Sequence, residues 1–102
     1  MNEYTDELDI ESFIHRCLKE LELTAVVGRK AKEILKRAAE AGIPPGQNPK
    51  GQASAAVYVA AILTKNRVTQ SSLAEFSGVS EATIRKRYVE LARGLGYYGS
   101  ES

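Results

Sequence analysis

The stretch Thr69-Gln70-Ser71-Ser72-Leu73-Ala74-Glu75-Phe76-Ser77-Gly78-Val79-Ser80-Glu81-Ala82-Thr83-Ile84-Arg85-Lys86-Arg87-Tyr88 reads as two short helices around a glycine turn. Thr69 is placed to cap the first helix, and Leu73 and Phe76 lie one turn apart and face inward. Ala74 leaves room at the helix crossing. Gly78 tolerates the positive φ that ends a helix, Val79 plugs the turn, and Ser80 caps the second helix. On that helix Ile84, Tyr88 and Leu91 follow i, i+4, i+7 as a buried stripe. Ala82, Lys86, Val89 and Arg93 lie opposite, with Arg85 on the flank between the two faces. Two helices joined in this way form a helix-turn-helix, a motif that places its second helix in a DNA major groove.

The rest of the composition narrows the class. The chain has 102 residues, 43% hydrophobic and 26% charged, which suits one globular domain rather than a disordered tail. No apolar run approaches the roughly 20 residues of a membrane span. The acidic N-terminus lacks a secretion pattern, so an intracellular protein with no membrane contact is expected. Cys17 is the single cysteine and His15 the single histidine, which leaves no internal disulfide and no four-ligand zinc set. No cofactor or metal is expected. His15 and Cys17 are two apart on one helix, so they point to different faces and cannot pair as base and nucleophile. Without paired carboxylates, a nucleophile-base set or a phosphate-cradling glycine loop, an enzyme has no support.

Charge is divided unevenly along the chain. Residues 1–23 hold seven acids against two bases, whereas residues 24–93 hold twelve bases against five acids. A basic body behind an acidic first helix suits a polyanion met on one face. The first helix is expected from about Glu7 to Leu21, with Leu8, Phe13, Ile14, Cys17, Leu18 and Leu21 on its apolar stripe. Thr24 is expected to cap a second helix running through Ala41, with Val27, Ala31, Ile34, Leu35, Ala38 and Ala41 inward. Gly42 ends it, and Ile43-Pro44-Pro45-Gly46-Gln47-Asn48 is a loop. Asn48 caps and Pro49 opens a third helix through Leu63 that is apolar on nearly every side and therefore belongs at the centre of a bundle. From Gly94 to Ser102 the glycine-rich tail is expected to be loosely held.

Several of these segments carry a family likeness. Arg67-Val68-Thr69-Gln70, then Gly78-Val79-Ser80-Glu81-Ala82-Thr83-Ile84-Arg85-Lys86-Arg87-Tyr88-Val89-Glu90-Leu91, resembles the second cyclin-like repeat of archaeal transcription factor B. Eukaryotic factor IIB is similar there. Lys32-Glu33-Ile34-Leu35 with Ala41-Gly42, and Asn48-Pro49-Lys50-Gly51-Gln52-Ala53-Ser54-Ala55-Ala56-Val57-Tyr58-Val59-Ala60, also resemble that repeat's second and third helices. The likeness runs from about Glu7 to Arg93.

The resemblance implies an all-α, five-helix cyclin-like domain with a C-terminal helix-turn-helix. It implies a transcription initiation factor of the archaeal cell interior, at the nucleoid. Its last two helices would enter the major groove of double-stranded promoter DNA, upstream of a TATA box held by the TATA-binding protein, and read the B recognition element. Carried over by position, the base-reading residues are Ala82, Thr83 and Arg85, with Gln70, Lys86 and Arg87 on phosphates or in support.

Elementary chemistry agrees with part of this. Arg85 offers a fork to guanine O6 and N7, a pairing worth about 1–3 kcal/mol of discrimination, and Ala82 and the Thr83 methyl suit a thymine methyl. Helix N-termini favour phosphates, which places Thr69 and Gln70 to set the register. Arg87 lies nearer the buried stripe than Lys86 and is read as part of a solvated charge run. Tyr58 and Tyr88 are read as core. Arg29, Lys30 and Lys36 are either an ordinary solvated face or further backbone contacts.

The family's zinc ribbon and first cyclin repeat, which recruit RNA polymerase and contact the TATA-binding protein, have no counterpart in this sequence. The chain is thus either an excised C-terminal domain or a stand-alone relative. A monomer that binds DNA weakly by itself is expected, since one module buries only about 600–1,000 Å². A different reading is a cyclin-like protein-interaction module that holds a partner's helix, with the acidic first helix in docking. Salt separates the two, because binding through several phosphates weakens steeply as salt rises.

Overall fold

A computed structural model describes residues 6–97, with side chains from Ile10 onward. Among the described residues there are five helices and no strand: α1 Asp6–Glu20, α2 Ala25–Glu40, α3 Pro49–Leu63, α4 Gln70–Ser77 and α5 Glu81–Gly94. This is the all-α cyclin-like architecture that the sequence implied. Asn48 Oδ1 accepts from Lys50 N at 2.9 Å and Pro49 occupies the first turn, so α3 starts where its capping chemistry dictates. Thr24 stands at the N-cap of α2 in extended conformation, but its side chain makes no capping hydrogen bond. At the other end of α2, Gly42 has φ +77° and Ile43 N donates to Ala38 O at 2.9 Å, closing the last turn. Ala41, expected on the inner stripe, is exposed because the chain is already leaving the helix there.

Helix α3 packs against each of the other four. Every residue from Gly51 to Ala61 except Tyr58 is buried, and the alanines let α2 and α5 approach closely on either side. The large fully buried side chains come from all five helices: Ile14, Val27, Ile34, Val57, Leu73, Ile84 and Leu91. On α1, Phe13, Ile14 and Cys17 are buried, with Ile10 and Leu18, and Leu21 just past the helix end, packed at the edge. Leu8, expected on the same stripe, lies outside the described side chains. Phe13 meets Phe76 with ring centroids 5.2 Å apart, tying α1 to α4, and Tyr58 meets Tyr88 at 4.6 Å, tying α3 to α5.

The start of the tail is fastened rather than loose. Gly96 has φ +83°, Tyr97 N donates to Ala92 O at 2.8 Å, and the Arg37 guanidinium, 5.4 Å from the Tyr97 ring centroid, hydrogen-bonds its hydroxyl. The remainder, Tyr98 to Ser102, lies outside the described residues. Among the described residues no helix is long and apolar enough to cross a membrane, and no group of three or more His, Cys, Asp or Glu is placed to hold a metal.

Ser54 Oγ is buried without a hydrogen-bond partner among the described residues. Such a group costs about 1–3 kcal/mol, and alanine is also the better helix former. Ser54→Ala is expected to raise stability by about 1 kcal/mol, seen in thermal unfolding as a rise of about 4–8 °C. Burial pushes the Cys17 thiol from its ordinary 9.0 to about 12. The native state therefore keeps the proton that the unfolded chain gives up. The stability this confers is complete below pH 9.0 and is lost as pH climbs toward about 12, a slope that denaturant titrations should find missing in Cys17→Ala.

Candidate nucleic-acid interface

The helix-turn-helix is held by local chemistry at each joint. Thr69 Oγ1 accepts from Ser72 N at 2.9 Å and donates to Ser72 Oγ at 3.0 Å, while the Ser72 hydroxyl donates back to Thr69 O at 3.0 Å. This reciprocal cap fixes the first turn of α4. Gly78 ends α4 with φ +79°, and its N–H donates to Ala74 O at 2.8 Å. Val79 N donates to Ser77 Oγ at 3.1 Å, and its side chain is buried in the turn. Ser80 Oγ then accepts from Thr83 N at 3.1 Å and donates to Thr83 Oγ1 at 3.0 Å. These bonds set the direction of α5, and Ile84 and Leu91 lock it onto the core.

The inward stripe of α5 leaves Ala82, Arg85 and Lys86 exposed at its N-terminal half. Ala82 is one turn from both Arg85 and Lys86, so the three share a face. Neither cation joins the ion pairs found among the described residues, Lys30 with Glu33 and Arg87 with Glu90. Thr83 is also exposed, but its hydroxyl accepts from Ser80 and its methyl is turned toward α3, 3.5 Å from where a Cβ on Gly51 would sit. Thr69 is exposed with its hydroxyl engaged in the cap, and Gln70 is half-buried beside it.

Arg87 is not part of a solvated run. Its side chain is only 13% exposed, its Nη2 lies 2.6 Å from Glu90 Oε1, and its Nη1 donates to Pro44 O at 3.1 Å. It is a tie between α5 and the α2–α3 loop. The sequence placed Arg87 near the buried stripe, but a bond spanning 43 residues to a carbonyl oxygen has no local signature.

The profile of the transcription factor TFIIB repeat family matches residues 5–94. The chain belongs to this family. Among the relatives of this TFIIB repeat, transcription initiation factor IIB 4 of Halobacterium salinarum is 45% identical over 94 residues, which are 92% of this chain and 29% of that protein. Transcription initiation factor IIB of Archaeoglobus fulgidus is 49% identical over 84 residues, 82% of this chain and 26% of that protein. Transcription initiation factor IIB 2 of Haloferax volcanii is 46% identical over 83 residues, 81% and 25%. The TFIIB repeat thus spans less than a third of each of these relatives. The family is one of initiation factors and not of enzymes.

The turn of this TFIIB repeat gives a clean test of what positions α5. Beyond its chain neighbours, no atom of the described residues lies within 4 Å of a Cβ built on Gly78, so the strain on a side chain there comes from the left-handed backbone. Gly78→Ala is expected to lose about 1–2 kcal/mol in denaturant unfolding, with little change in the dependence on denaturant.

Proposed function

We propose that this TFIIB repeat serves transcription initiation by binding promoter DNA in the major groove through α4 and α5, upstream of a TATA box and beside the TATA-binding protein. The observation that carries this reading is the face formed by Ala82, Arg85 and Lys86. It bears two exposed cations outside the ion pairs among the described residues, on a helix whose direction is set by a capped, glycine-ended turn. An arginine in the first two turns of such a helix suits bidentate pairing with a guanine edge, and the small side chain of Ala82 permits close approach to a base. Lys86, on the same face, suits an adjoining phosphate. Thr83 joins the base-facing set by turning about χ1, exchanging its bond with Ser80 for one to DNA. Thr69 and Gln70, at the start of α4, are placed for a second backbone contact. Arg87 supports the interface through its ties to Pro44 and Glu90. Assembly with RNA polymerase belongs to parts of the longer relatives that lie outside this repeat.

Gel shifts on a TATA promoter, with and without the TATA-binding protein, test the reading across variants of the upstream element. Arg85→Ala is expected to weaken the preferred sequence by about 5- to 150-fold, the equivalent of about 1–3 kcal/mol, and to flatten the preference among variants. Unchanged base preference in Arg85→Ala would remove α5 as the reading helix. Failure of the unsubstituted chain to join the complex at any salt would favour a protein-interaction module instead.

A further inference from the structure

The α2–α3 loop lies alongside the N-terminal half of α5 and encloses with it an open groove of about 520 Å³. One wall is Gly46, Gln47 and Asn48; the other includes Ser80, Thr83 and Lys86. Among the described residues no carboxylate lines this groove. The loop is built to hold one shape. Pro44 and Pro45 restrict their own φ angles, and Gly46 takes φ +82°. Arg87, itself part of the groove lining, pins the loop: its Nη1 donates to Pro44 O, and the same atom lies 2.8 Å from the position of a Cβ on Gly46. Only a residue without a side chain lets the guanidinium lie so close. Asn48 Oδ1 is committed to Lys50 N, which leaves Gln47 as an exposed polar side chain of the loop with no hydrogen bond among the described residues.

We propose that Gly46–Asn48 is a second DNA-facing wall, which with Lys86 straddles one sugar–phosphate strand at the edge of the major groove, and that Arg87 is the positioning residue holding this wall in place. The proposal rests on the reading that α5 enters the major groove. A strand lying in this groove meets Lys86 from the α5 side and the Gln47 amide from the loop side, with Arg87 lining the groove between them. The wall adds affinity and register without base preference, because it faces phosphate and sugar.

The test uses the whole chain on a TATA promoter duplex with the TATA-binding protein bound, titrated with KCl. Gln47→Lys places a cation on the loop wall, and it is expected to steepen the slope of log affinity against log salt by about one, while leaving base preference unchanged. Lys86→Gln is expected to make the slope shallower by about one. In an Arg87→Met background, with folding verified by thermal unfolding, the increment from Gln47→Lys is expected to shrink because the loop is no longer pinned. An unchanged slope for Gln47→Lys overturns the second wall, and an undiminished increment with Arg87→Met overturns the positioning role. Either result leaves the major-groove reading intact if Arg85→Ala still flattens base preference. Absence of any promoter complex with the unsubstituted chain overturns both.

Discussion

Close approach across alanine is the constraint on which the rest of this fold depends. Helix α3 presents small side chains on nearly all sides, so α2 and α5 settle against it through backbone proximity and the large residues they bring themselves. Ile34 from α2, Ile84 and Leu91 from α5 and Leu73 from α4 supply the volume that α3 lacks. A bulky residue at Ala55, Ala56 or Ala60 would push the flanking helices apart, and the helix-turn-helix would move with α5. Its orientation is thus decided in the interior, away from the residues assigned to DNA.

At the site the hierarchy runs from backbone to side chain. Gly78 and Ser80 determine where α5 starts, and Ile84 and Leu91 determine its rotation about its own axis. What remains outward is then a matter of helical periodicity. Arg87 interrupts this simple division, because it sits on α5 yet commits its charge to Glu90 and its hydrogen bond to Pro44. A cation in a basic run is thereby converted into scaffolding, and the two cations before it keep the exposed positions.

Much of this was legible in the sequence, for identifiable reasons. Caps and glycine ends have short-range causes, which is why Asn48, Thr69, Gly78 and Ser80 mark helix boundaries correctly. The uniform apolarity of α3 has a single packing solution, so its central position was also readable. Thr24 shows the limit of the rule, since a capping residue type stands at the right place without making the bond. The fastening of Tyr97 to Arg37 and the tie from Arg87 to Pro44 were not readable, because each joins segments far apart in the chain through one polar contact. The orientation of the Thr83 methyl toward Gly51 was missed for a related reason: the sequence places a residue on a face without fixing its χ1 angle.

The separation between the locked inner stripe of α5 and its outer face has a consequence for how such a protein can change. Ala82, Arg85 and Lys86 contribute nothing to the fully buried interior, and the bonds that orient the helix belong to Ser80 and the backbone. Exchanges at those three positions therefore change the outer face while leaving the frame that presents it undisturbed. Under the proposed function the repeat is a reading head on a fixed mount, open to re-aiming at a new sequence without being refolded.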